Sequence, residues 1–371
     1  MQTETNREAK AQARTVLEFI DCDVHNGLPS AAALLPHLPE QWHGPYRQLT
    51  NRVQMPTASF YQTRSLSGGP YRVDARPPSG NPPGSDFEFA RQQLLESWPI
   101  RNAILSPLDG LSWPQEGPLA AALTAALNDW VATQWLDRDS RFLGTIVVPV
   151  EDSERAAREI AHRAADDRFV QVLMYARTRE PLGHAKYWPI YDAAAERDLP
   201  VVVHVGGSGN PITGAGWGSY HFEEHASFTW AMQAHVVSLV TSGLFDRLPK
   251  LKIVLEEGGF TWVPALMWRM DRAWRQMGPE FAGLTEAPSA IIRRHFYFTT
   301  QPMDEVDSAD HLMATLRHLD MDDHVMYSTD YPHWDFDAPD RALPAAITGE
   351  LRTKIMRTNA EHVFRFPKPK P

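Results

Sequence analysis

Three short segments of this 371-residue chain carry side chains suited to metal or proton chemistry. The first reads Asp21-Cys22-Asp23-Val24-His25. If it is a strand, residues two apart share a face, so Asp21, Asp23 and His25 project together while Cys22 and Val24 point the other way. The second is Leu199-Pro200-Val201-Val202-Val203-His204-Val205-Gly206-Gly207, an apolar run that ends in an imidazole and a Gly-Gly pair. Such a pair suits a tight turn or a close approach to the backbone. The third, Tyr327-Ser328-Thr329-Asp330-Tyr331-Pro332-His333-Trp334-Asp335, is largely apolar until Asp330. Through Asp23, His25, His204 and Asp330 the three segments supply two His and two Asp. This nitrogen and oxygen set suits Zn²⁺ first and Mn²⁺ second, with a position left open for water.

Composition agrees with that chemistry and excludes others. One cysteine, Cys22, can build neither an internal disulfide nor a thiolate cage, so the 15 His and the carboxylates must hold any metal. Thirty-six Lys and Arg against 46 Asp and Glu give a net charge of −10, which argues against nucleic acid or an anionic membrane as partner. The polar start lacks the apolar stretch of a secretory signal, and no apolar run is long enough to span a bilayer. The expectation is a cytoplasmic protein acting on a small molecule.

These segments need elements to position them. Strands are expected at 16–25, 100–106, 142–150, 170–175, 200–205, 251–257, 295–300 and 324–329. Helical patterns lie between most of them, at 119–136, 153–166, 190–197, 224–244, 262–276, 309–319 and 349–364. Strand and helix in alternation, with strands apolar on both faces, point to a parallel sheet covered on both sides. Eight units fit an α/β (β/α)₈ TIM-type barrel, and no strand is followed by the glycine pattern of a dinucleotide fold. The three chemical segments then stand at the C-terminal ends of strands one, five and eight, where barrel active sites lie. Residues 1–15 read as an N-terminal arm and 16–371 as one barrel domain. Residues 26–99 form an insertion after the first strand, far longer than an ordinary βα loop, which reads as a lid or a dimer contact.

With these residues in place, the sequence resembles the amidohydrolase superfamily, in the branch that includes aminocarboxymuconate-semialdehyde decarboxylase. The resemblance rests on D-x-H, the apolar strand ending in His, and S-x-D-Y-P-H, and runs from about Phe19 to Phe366. It implies a distorted (β/α)₈ barrel with one divalent metal, held by Asp23, His25, His204 and Asp330. The bridging lysine of binuclear relatives has no counterpart in Phe169-Val170-Gln171-Val172-Leu173-Met174-Tyr175-Ala176, so a mononuclear centre is expected. Relatives are commonly dimers, and Trp42, Tyr46, Phe60 and Tyr61 of the insertion would form a contact surface or close a lid.

One position departs from the decarboxylases of that branch, which carry a His after the sixth strand. Here Glu257 takes that place, with Glu256 as the one-residue alternative. Strand alternation would put Glu257 on the face of Leu251, Ile253 and Leu255. A carboxylate donates no proton near neutrality unless burial raises its pKa, and this tilts the expectation toward hydrolysis. In that scheme Asp330 takes the proton of a metal-activated water that attacks a small amide or lactone. The alternative is non-oxidative decarboxylation of an aromatic or unsaturated acid, with Asp330 protonating the carbon. A metal-free binding barrel is the reading of another class. Arg177 is a candidate anchor for a substrate carboxylate. His333 is a catalytic candidate that would hydrogen-bond Asp330, line the pocket or shape the turn with Pro332, and Trp262 and Trp334 are candidates for stacking on a flat substrate. His235 reads as a packing residue. The spacing of His221 and His225 is that of a zinc protease helix, but Glu does not follow the first His, so a protease is rejected.

Overall fold

The computed structural model describes residues 17–51, 71–207, 216, 220–278 and 284–367. Eight parallel strands follow one another around a single sheet in chain order: β1 (Phe19–Val24), β2 (Ile100–Leu105), β3 (Phe142–Val147), β4 (Phe169–Tyr175), β5 (Val201–His204), β6 (Ile253–Glu256), β7 (Phe296–Thr299) and β8 (Val325–Met326). This is a (β/α)₈ barrel, and apart from Arg101, Asn102 and Tyr297 its strand residues are buried on both faces, as their apolar runs require. Closure runs through the ends of β1 and β8. Cys22 N–H donates to the Tyr327 carbonyl, Asp330 N–H to the Asp23 carbonyl and His25 N–H to the Tyr331 carbonyl, with a parallel bridge between Val24 and Tyr331. Among the described residues, no helix is long and apolar enough to cross a membrane.

Several elements differ from the sequence expectation for identifiable reasons. The last strand keeps only two residues, because the chain beyond Met326 turns to bond with β1 and with Ile355. His295 ends a helix, Pro288–His295, that the periodicity did not reveal. It starts at Pro288 and buries Ile291 and Ile292, and the His295 ring bonds to the Leu251 carbonyl instead of entering β7. The expected helix over 224–244 breaks at Ser227 into His221–Ala226 and Phe228–Thr241. Gly243, in the left-handed region at φ 78°, starts a further short helix at Leu244.

Much of the insertion packs down on the barrel. It holds the helices His43–Asn51 and Phe87–Arg91, the latter continuing as a π-helical turn to Glu96. Tyr46, expected at a contact surface or lid, is buried with its ring edge-on to Trp113 at 6.2 Å, so it serves packing. Trp42 is partly buried against the core, while Phe60 and Tyr61 lie outside the described residues, as does the 1–15 arm. The insertion also reaches the rim of the barrel mouth. Gly27 N–H bonds to the Gly84 carbonyl, Arg72 N–H bonds to the Pro332 carbonyl, and Tyr71 bridges to His333.

Candidate active site

Asp23 and His25 leave the end of β1, and the β1–β2 register shifts between Asp21 and Val24. That shift separates Asp21 from its two neighbours. Asp21 accepts from the backbone N–H and the hydroxyl of Thr329 at 2.9 and 2.7 Å, below the site. Burial pushes its carboxyl up to about 7, against the pull of the Thr329 hydrogen bonds. His25 donates from Nδ1 to the Ser106 carbonyl at 2.7 Å, and His204 from Nδ1 to its neighbour's carbonyl at 2.6 Å. These bonds fix the tautomers and turn both Nε2 atoms toward the centre. After His204, Gly206 and Gly207 take φ of 94° and 112°, and a Cβ on Gly207 would lie 2.9 Å from that of Arg177. The Gly-Gly pair is there to turn the chain beside Arg177.

Glu257, not Glu256, faces this centre. Its Oε1 lies 3.3 Å from His204 Nε2, 3.5 Å from His25 Nε2 and 3.7 Å from His333 Nδ1. Strand alternation is not what places it there. β6 ends at Glu256, which is in register with His204 and lies 3.4 Å from Gln171 of β4. Glu257 follows in the left-handed conformation at φ 55°, which swings its side chain inward. Asp330 is likewise left-handed at φ 59°, with Oδ1 2.8 Å from His25 Nε2 and 2.6 Å from His333 Nδ1.

Asp23, His25, His204 and Glu257 each offer an atom to one group whose members lie within 4.8 Å of one another. Asp330 belongs to a second group of that kind, with His25, Glu257 and His333. Both carboxylate oxygens of Asp23 and the Nε2 atoms of His25 and His204 are buried without a hydrogen-bond partner. Buried polar atoms left this way are costly unless something else satisfies them. The charges say the same. Burial opposes protonation of His25, yet Asp23, Asp330 and Glu257 hold its pKa well above the ordinary value. Burial likewise opposes ionisation of Glu257, and His204, His25 and His333 hold it well below. Three carboxylates around two inward-facing imidazoles form a cluster short of positive charge, which suits a divalent cation.

Asp330 and His333 are hydrogen-bonded to each other at 2.6 Å. Burial raises the Asp330 carboxyl to about 7, with His333 opposing and Glu257 assisting. Burial alone would lower His333, but the Asp330 charge and hydrogen bond raise it to about 9. The remaining candidates stand further out. Arg177 is buried 3.2 Å from Glu224. Trp262 donates from its indole to the Gly258 carbonyl at 2.7 Å and meets Phe298 edge-on, so it steadies the turn behind Glu257. Trp334 stays 48% exposed at the mouth, beside His221 and His225. His235 bonds to backbone through both ring nitrogens, at Leu182 and Ala176, as a packing residue would. Cys22 is buried and free. Sequence reasoning missed Asp335, which lies 2.9 Å from His225 Nε2 and accepts from the Gln301 amide at 2.9 Å. The repeated His at 221 and 225 was the available signal, set aside with the protease reading.

Carboxylates and imidazoles gathered at the C-terminal mouth of a (β/α)₈ barrel define a class of metal-using barrel enzymes. The chain belongs to the amidohydrolase family, whose sequence profile matches residues 20–366, and is an enzyme of that superfamily. A gamma-resorcylate decarboxylase from Polaromonas is 29% identical over 303 residues, spanning 76% of this chain and 88% of its own. The fold matches that of a 5-carboxyvanillate decarboxylase from Sphingomonas paucimobilis, with a TM-score of 0.69 and 22% identity over 95% of this chain and all of the other. It also matches a dihydroxybenzoic acid decarboxylase from Polaromonas, solved with manganese and the inhibitor 2-nitroresorcinol. There the TM-score is 0.64 and the identity 22%, over 93% of this chain and 96% of the other.

Proposed function

We propose that the chain is a divalent-metal-dependent, non-oxidative decarboxylase of a small hydroxylated aromatic acid. The observation that carries this reading is Asp330, a buried carboxyl poised near 7 and hydrogen-bonded to His333 at the edge of the metal-type cluster. The decarboxylase relatives support it over hydrolysis, which the sequence alone had put first. Asp23, His25, His204 and Glu257 would hold the metal, and Asp330 lies in the adjoining group with His25, Glu257 and His333. When bound, the metal supplies Lewis acidity toward substrate oxygens. A donor set of two carboxylates and two imidazoles accommodates Mn²⁺ as well as Zn²⁺.

Asp330 delivers a proton to the ring carbon that bears the carboxylate. The carbon–carbon bond then breaks with its electron pair returning to the ring, and CO₂ leaves. His333 returns a proton to Asp330 across their 2.6 Å contact. Glu257 stays ionised, so it contributes charge and position but no proton. Trp334 offers a flat surface to the ring, and Arg177 steadies acidic groups near the mouth through its pair with Glu224.

The test is CO₂ release from a panel of mono- and dihydroxybenzoates by metal-loaded protein. Amide and lactone cleavage is measured in parallel. CO₂ release from at least one acid is the expected result. Cleavage of an amide or lactone with no CO₂ from any acid would restore hydrolysis, the reading that Glu257 in place of His favours.

A further inference from the structure

We propose that His221 and Trp334 form a subsite at the barrel mouth that reads a hydroxyl group on the far edge of an aromatic ring. The inference rests on the decarboxylase reading and names the substrate feature that the site selects. His221 and His225 stand four residues apart on the helix His221–Ala226, so both imidazoles share one face. Their rings lie 6.4 and 5.5 Å from the indole of Trp334. The cluster adjoins the reaction centre, because Trp334 follows His333, whose ring lies 4.6 Å from that of His25.

The two imidazoles differ in what they leave available. His225 is fixed by Asp335, which Gln301 holds in turn. His221 has an Nε2 that is withdrawn from solvent and has no hydrogen-bond partner among the described residues. Burial, then the charge of His225, holds the His221 pKa below the ordinary value, so the ring is neutral at pH 7. A neutral imidazole nitrogen beside an exposed indole face matches a flat apolar ring carrying a neutral polar group, which is a phenol. A second carboxylate fits less well, since Asp335 and Glu224 lie beside the patch and His225 is already paired.

Binding without turnover tests this. Metal-loaded full-length protein is titrated calorimetrically with 2-hydroxybenzenesulfonate and with 2,4-dihydroxybenzenesulfonate, the sulfonate standing in for the carboxylate and leaving the far-edge hydroxyl un-ionised at pH 7. The second probe differs only by a hydroxyl across the ring from the sulfonate. The expected preference for 2,4-dihydroxybenzenesulfonate is about 10-fold, what one satisfied hydrogen bond supplies. His221→Phe should collapse that preference to below about 2-fold, and His221→Gln should restore part of it. Trp334→Ala, an exposed position, should weaken both probes alike. Equal binding of the two probes, binding of neither, or a preference that survives in His221→Phe would overturn the proposal. CO₂ release without the preference defeats this inference alone, whereas the preference without CO₂ release from any acid defeats the decarboxylase reading alone.

Discussion

Glu257 and Asp330 both sit on left-handed backbone, at φ 55° and 59°. A non-glycine residue in that region carries strain of roughly 1–3 kcal/mol, and such strain gathers at functional sites. Here it has a visible result, because each turn aims a carboxylate at His25. Asp330→Asn should reduce turnover by about 10²-fold or more while leaving bound metal near one per chain, checked by steady-state rates beside elemental analysis. Glu257→Gln should lose a similar factor and also retain less metal, since that residue contributes charge to the tighter cluster. His25, His204, Asp23 and Asp330 were legible because acidic and imidazole side chains at the ends of apolar strands have no packing purpose. The route of Glu257 into the site was not legible. Alternation describes residues inside a strand, and Glu257 lies one residue beyond the end of β6.

At the scale of elements, the seam between β1 and β8 sets the geometry of the site. The Thr329 hydroxyl donates to Asp21 Oδ2 and accepts from Tyr331 N–H, on either side of Asp330 in sequence. Thr329→Val keeps the shape but strands the buried Asp21 oxygen. It should cost about 1–3 kcal/mol in denaturant unfolding and lower activity further by displacing Asp330. The turn after β5 is a second such hinge. Gly207→Ala would place a Cβ 2.9 Å from that of Arg177 at a φ of 112°, so it should destabilise the fold and shift Arg177. The eight strands were readable from their apolar runs. The short β8 and the helix Pro288–His295 were not, because tertiary bonds to β1, Ile355 and Leu251 decide them.

Across the whole molecule, stability rests on the apolar shell between helices and barrel. Trp135, almost wholly buried among Phe87, Trp130 and Phe142, is a large share of one contact region. Trp135→Ala should cost about 3–5 kcal/mol by urea unfolding. Buried histidines add a pH dependence. Burial depresses the pKa of His235, against the pull of its bond to the Ala176 carbonyl, so the unfolded chain binds a proton more readily than the folded one. Its contribution is therefore complete above the unfolded value of about 6.5 and is lost as pH falls through that value toward the folded one. Unfolding free energy should fall from pH 7 to pH 5 less steeply in His235→Asn than in the native chain. A parallel fall in both would remove His235 from that dependence.

In the proposed enzyme, the buried carboxylates and imidazoles hold one divalent metal that decarboxylation requires. The most direct measurement is CO₂ release from hydroxybenzoates by chelator-stripped protein retitrated with Mn²⁺ or Zn²⁺. Stripped protein should release negligible CO₂, and recovery should saturate at one metal per chain. Release that persists undiminished in metal-free protein, or retitrated protein that yields no CO₂ from any acid, would contradict it.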